Sequence, residues 1–374
     1  FKQKTAYEIR LSLVGSEMCI RDSAAPERGR RWRGGGGRGM SWTWSVELTR
    51  ADGSVAACAP LDPDWEPVSI WVRFEGMRRG LLPPVLSSTP GEVEPCFAAE
   101  APTVEAVRVA VRDERRRGGV VEERVPISYL GRQVQGVVRG LVAAGRLAAG
   151  EVVRPRVRAE PADPATVSAA GVASGLTLTE IPRPLALVES PMAAFLAGST
   201  PCGVGDGDPD VPLFVPRFVL DEAEALAVAA GDVETGGFLL GHVHRDATLP
   251  EIFVEVTAQV PAEHTRGDRM HLTFTPETWA TVDAVRRARG RHETVVSWWH
   301  SHPYFCRGCP PEKRRTCALD SAFFSAEDVA VHHLFAQAHQ TALLVSSNES
   351  GLTRSFFGWR AGSVAARGYY RTES

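Results

Sequence analysis

Val295 to Cys309 reads "VVSWWHSHPYFCRGC". Two histidines one residue apart close an apolar run, and two cysteines follow. Side chains two apart on a strand share a face, so His300 and His302 can aim two imidazoles at one point, with Ser301 turned away and Pro303 ending the strand. Neutral imidazole is a good zinc ligand, and a pair on one rigid edge is partly preorganised for metal. The alternative is a pair of strand histidines that only hydrogen-bond to their neighbours. Cys306 and Cys309 form C-x2-C, a common half of a structural zinc site, with Cys317 further along the same loop. Three thiolates leave such a site one ligand short, to be completed by His292, His332, His333 or a further cysteine. The alternative is three reduced thiols in an exposed loop.

Two more pieces bear on the histidines. "SAED", Ser325 to Asp328, opens a helical run and reads in isolation as an N-cap with an acidic residue three positions on, a variant of the capping box. "ETGG", from Glu234, opens an apolar strand; alone, Glu234 is an ordinary solvated carboxylate, and Gly236 and Gly237 allow a close backbone approach or a bulge. A distant Glu, then H-S-H-P, then S-x-x-D resembles the motif of the JAB/MPN metalloproteases (JAMM family), and the resemblance covers roughly residues 214–362.

That resemblance implies a role for each matching position. His300, His302 and Asp328 would bind a catalytic Zn²⁺ with its fourth position left to water, Glu234 would act as general acid and base, and the Ser325 hydroxyl would help hold an oxyanion. The implied activity is a zinc isopeptidase or peptidase that cleaves after the C-terminal tail of a ubiquitin-like protein, in deconjugation or precursor processing. The implied partners are such proteins or their conjugates, with conjugation-pathway enzymes engaged through the N-terminal region. The alternative function is a non-catalytic scaffold of the same fold. One departure stands out: 22 residues separate His302 from Ser325, more than the usual pattern has. Asp320, inside that insertion, is the substitute for Asp328 as a ligand.

Positioning these residues requires alternating strands and helices. "DEAEALAVAA" has helical spacing, and "ETGGFLLGHVHR", "IFVEVTAQV" and "MHLTFT" read as strands. "PETWATVDAVRRARG" predicts a helix, "ETVVSWWHSH" a strand and "SAEDVAVHHLFAQAHQ" a helix, before the strands "TALLVSS" and "LTRSFFGWR". This order predicts an α/β (α+β) domain over 214–374, with an insertion at 304–324; the resemblance implies a central mixed sheet flanked by helices. Trp298 and Trp299 read as core and surface of one strand. His242 and His244 form a second H-x-H that reads as structural or exposed, and one of His332 and His333 should face solvent.

Upstream, "SWTWSVEL", "VSIWVRFEG" and "AVRVAVRDE" alternate like half-buried strands, and "ISYLGRQVQGVVRGLVAAGRL" carries helical spacing. They predict a separate, smaller α+β domain over 40–180. Residues 181–213 have linker composition. Residues 1–39 read as a non-native or unfolded leader, with Met40 as the start. Cys58 and Cys96 stand alone and read as small buried side chains.

The chain has 374 residues, 44% hydrophobic and 23% charged, with a formal net charge of −3. That balance gives no reason to expect nucleic acid or an anionic membrane as partner, and no apolar run is long enough for a transmembrane helix. Lysine occurs only at positions 2, 4 and 313, so arginine carries nearly all the positive charge, a bias that a GC-rich bacterial genome produces. Seven cysteines without a signal peptide fit a reducing cytoplasm.

Overall fold

The computed structural model describes residues 41–87, 89–99, 102–113, 120–162, 183–203, 210–263, 266–267, 272–305, 310, 323–349 and 351–373. Residues 1–39, expected from the sequence to be a leader, and Cys306, Cys309, Cys317 and Asp320 lie outside these residues. The chain forms two compact units of mixed α/β structure. One comprises the chain up to Ser69 with Thr89–Arg112 and Glu122–Glu180; the other comprises Ile70–Ser88, Asp113–Val121 and Ile181–Ser374. No helix among the described residues is long and apolar enough to cross a membrane.

In the first part of the chain, strands β1 (Trp42–Thr49), β2 (Val55–Leu61) and β6 (Arg154–Pro161) form one antiparallel sheet in the order β2-β1-β6. Strands β3 (Glu92–Phe97), β4 (Val104–Arg112) and β5 (Val120–Pro126) form another. The segment "ISYLGRQVQGVVRGLVAAGRL" is helical as expected, a 3-10 turn leading into α2 (Gly131–Ala143), which buries Val134, Val138 and Leu141 along one stripe.

"VSIWVRFEG" is not a strand. It lies inside helix α1 (Glu66–Arg78). Val68 and Val72, and Ile70 and Phe74, are spaced by four as well as by twos, so a run apolar at every second position also fits a helix buried on most of its surface. Local chemistry decides: the Asp64 carboxylate accepts the Glu66 N–H at 3.0 Å, and Pro67 sits in the first turn, where its missing N–H costs nothing. The isolated cysteines are corrected too. Cys58 is exposed and Cys96 half-buried, because Cys58 faces away from the buried Ala57 beside it.

The second unit is built on a ten-stranded mixed sheet. Its main path runs β7-β15-β8-β10-β9-β11-β12-β13-β14, where β7 is Ser199–Cys202, β8 Leu213–Pro216, β9 Gly236–Arg245, β10 Ile252–Pro261 and β11 Thr294–His302. The remaining members are β12 (Thr341–Asn348), β13 (Gly351–Arg360), β14 (Ser363–Arg367) and β15 (Tyr369–Thr372). Strand β11 is central, antiparallel to β9 and parallel to β12. Within 181–213, helix α3 (Met192–Ala197) and β7 are regular elements, and a short strand at Val188–Glu189 pairs with β9.

Helices α4 (Arg217–Ala230) and α5 (Pro276–Arg289) lie where the apolar spacing placed them. Thr275 caps α5 through a reciprocal capping box with Thr278, and Gly290 ends it in the left-handed region. Two expectations are too long. Of "MHLTFT" only Leu272–Thr273 forms strand, residues 268–271 lying outside the described set. Helix α6 spans only Ala326–His332. Beyond it Phe335, Ala338 and His339 are buried, and the Gln340 amide donates to the Val295 carbonyl at 3.0 Å, so burial overrides the helical periodicity.

Candidate metal centre

Strand β11 carries the histidines. A run of β-branched and aromatic residues suits a strand covered on both faces, and every residue from Val296 to His302 is buried. Trp299 is therefore buried like Trp298, not exposed: the opposite face of the sheet is covered as well. On its own face Trp298 stacks on His300, ring centroids 4.8 Å apart at 16°.

His300 and His302 converge as the two-residue spacing predicts, their Nε2 atoms 3.2 Å apart. Asp328 reaches the same point from the first turn of α6, its carboxylate oxygens 3.1 Å from His300 Nε2 and 3.5 Å from His302 Nε2. These three buried side chains form a group that could hold a metal ion. Tetrahedral donors about 2.0–2.1 Å from a zinc ion stand about 3.3 Å from one another, close to the separations here.

The protonation states suit a cation. Burial holds the His300 imidazole below its ordinary pKa, against the upward pull of Asp328. Burial alone would push the Asp328 carboxyl up, but its bonds to His300 and His302 prevail and hold it well below the usual carboxylate range. A neutral imidazole beside an ionised carboxylate is what a metal ligand set requires. With Nε2 of both rings turned to the group, the Nδ1 atoms are buried and have no hydrogen-bond partner among the described residues.

Ser325 and Asp328 also form the cap. The Asp328 carboxylate accepts the Ser325 N–H at 2.7 Å, and the Ser325 hydroxyl accepts the Asp328 N–H at 3.0 Å. Capping and delivery of the carboxylate to the histidines coexist in one turn. The 22-residue separation does not prevent Asp328 from reaching them.

Glu234 stands just before β9 and is buried. Gly236 pairs with His300. The Thr235 carbonyl accepts the Ser301 N–H at 2.8 Å, and the Thr235 N–H donates to the Ser301 hydroxyl at 3.1 Å. That pairing runs as far as Thr235 and Ser301, and Glu234 is the next residue beyond it. Gly237 serves close approach: a Cβ on it would lie 2.4 Å from the Val260 carbonyl oxygen and 2.5 Å from Trp299 Nε1.

Around the group, Phe305 and Phe323 contact the His302 ring, centroids 5.6 and 5.0 Å away, and Phe324 meets His300 edge-on. The other histidines among the described residues are not part of this group. His244 is buried, bridging the Ser190 hydroxyl and the Glu255 carboxylate at 3.0 Å each, which satisfies it structurally. His333 is exposed while His332, next to it, is buried, and His292 is exposed. The aromatic wall and the packing of His332 escaped the sequence reading, because neither belongs to a motif.

No family model matches the chain, and no curated protein matches it. Among solved structures, the solution structure of protein DSY2949 from Desulfitobacterium hafniense is similar over 43% of this chain and 94% of that one, at 19% identity and a TM-score of 0.32. A likeness that distant carries no functional argument.

Proposed function

We propose that the second unit is a zinc-dependent hydrolase of peptide or isopeptide bonds, of JAB/MPN type, acting after the C-terminal tail of a ubiquitin-like protein. One observation carries the reading: two strand histidines and a helix-cap aspartate, all buried, converge at donor–donor spacing. The substrate class rests on the sequence resemblance alone.

In this reading His300 and His302 each present Nε2, keeping the ring proton on Nδ1, and Asp328 supplies one negative charge from a carboxylate already fixed by the Ser325 N–H. When bound, zinc supplies a Lewis acid that polarises the scissile carbonyl and acidifies a water molecule. Glu234 takes a proton from the attacking water and delivers it to the leaving amine. The Ser325 hydroxyl accepts from Asp328 N–H, so its own O–H is the donor offered to the developing oxyanion. Burial strengthens each of these interactions by excluding water.

The test uses the full chain loaded with zinc and a set of ubiquitin-like proteins fused through their C-terminal tails to a reporter. Cleavage by the parent chain is expected, with Glu234→Gln retaining zinc and losing at least about 100-fold in rate. Undiminished cleavage by Glu234→Gln would remove Glu234 from the mechanism. A zinc-loaded parent that cleaves none of the fusions would favour the non-catalytic scaffold.

A further inference from the structure

We infer that His332 is a positioning residue for the metal group, acting on His300 through Trp298. The inference rests on the metal-binding reading above. The His300 ring lies nearly parallel to the Trp298 indole, centroids 4.8 Å apart at 16°, and the indole in turn stacks with Phe335 at 5.8 Å and 15°. The rotation of that indole sets the surface against which His300 rests. One directional contact fixes it: Trp298 Nε1–H donates to His332 Nδ1 at 3.0 Å, in a buried setting.

Accepting at Nδ1 makes His332 the Nε2–H tautomer. That Nε2 is buried without a hydrogen-bond partner among the described residues. Polar satisfaction alone therefore does not account for the residue. An apolar side chain at 332 would orphan the indole N–H; the histidine satisfies it and orphans its own N–H instead, so the count of unpaired donors is the same either way. What the histidine adds is direction. Burial also holds its pKa down, to about 3, so the ring stays neutral and keeps an acceptor at Nδ1.

The placement on α6 gives the contact its consequence. Asp328 and His332 are four residues apart on one helix, hence on one face. The same turn of helix supplies one donor of the metal group directly and orients a second through the indole. His300 and Asp328 are thus held to a common support.

The experiment measures zinc affinity of the full chain by competition with a chromogenic chelator, for the parent, His332→Leu, Trp298→Phe and the double variant. Trp298→Phe keeps an aromatic face for His300 but lacks the donor. Residues that orient metal ligands are worth about 10–100-fold in affinity. Each single variant is expected to weaken zinc binding about ten-fold, near the low end of that range, and the double variant no further than either single one. His332→Gln, whose side-chain carbonyl can accept the indole N–H, is expected to recover most of the loss. Thermal melts in excess chelator report folding separately from metal. Parental affinity in folded His332→Leu, or losses that multiply in the double variant, would overturn the inference while leaving the metal reading intact. A parent chain that takes up no zinc would overturn both.

Discussion

His300, His302 and Asp328 are not the only buried titratable groups in the second unit, and burial alone does not make a site. His339 is as deeply buried, lies against Phe74 at 5.7 Å, and has no ion-pair partner among the described residues. Burial pushes its pKa down from 6.5 to about 4. A base with a depressed folded pKa binds fewer protons folded than unfolded, so its contribution is complete above the unfolded value and is lost as pH falls from about 6.5 towards 4. Lowering the pH from 7 to 5 should cost about 2 kcal/mol through this residue, and His339→Leu should flatten that part of a urea-denaturation profile. An unchanged slope would mean that the ring stays protonatable in the folded chain. At this scale the sequence was informative where spacing alone sets direction: a two-residue step on a strand aims His300 and His302 together. It was silent on the packing of His332 and His339 and on the phenylalanines beside the histidines, whose partners come from distant parts of the chain.

The elements that deliver the site meet at close backbone contacts. Strands β9 and β11 pair with Gly237 opposite Trp299, and a Cβ there would collide with the Val260 carbonyl and the indole nitrogen. Neither backbone nor a buried indole can yield easily, so Gly237→Ala should destabilise the second unit by about 1–3 kcal/mol and lower its melting temperature. A melt within experimental error of the parent would show that the pairing has slack. Strands β9, β10 and β11 and helices α4 and α5 were legible because their periods are distinct over eight or more residues, whereas α6 spans only seven. The helix α1 was not legible: its apolar residues fall every second position, and only "DPDWEP", which runs into its first turn, marks a helix start. Strands β14 and β15 were also missed, being short and set by pairing with β13 and β8 rather than by a pattern of their own.

For the whole molecule, the second unit draws on chain well upstream of residue 181. Arg78 bonds both oxygens of Glu251, at 2.7 and 2.8 Å, and also Glu75, at 2.8 Å. Without residues 70–88, Glu251 loses a two-point partner and His339 loses the Phe74 ring. A fragment of residues 181–374 should therefore melt below the same unit in the full chain and be cut faster by protease; equal stability would show that residues 70–88 are dispensable. Nothing in the 181–213 composition betrays such long-range sharing, because linker-like residues say only where a chain can turn.

Whether His300, His302 and Asp328 hold a zinc ion decides the rest of the functional reading. Zinc per chain answers it, by elemental analysis of the full protein loaded with excess zinc and desalted, against the His300→Ala/His302→Ala double variant. The variant is expected to bind one zinc fewer per chain than the parent while remaining folded. A folded parent that takes up no zinc, or a variant that keeps the parent's full complement, would show that these residues hold no metal.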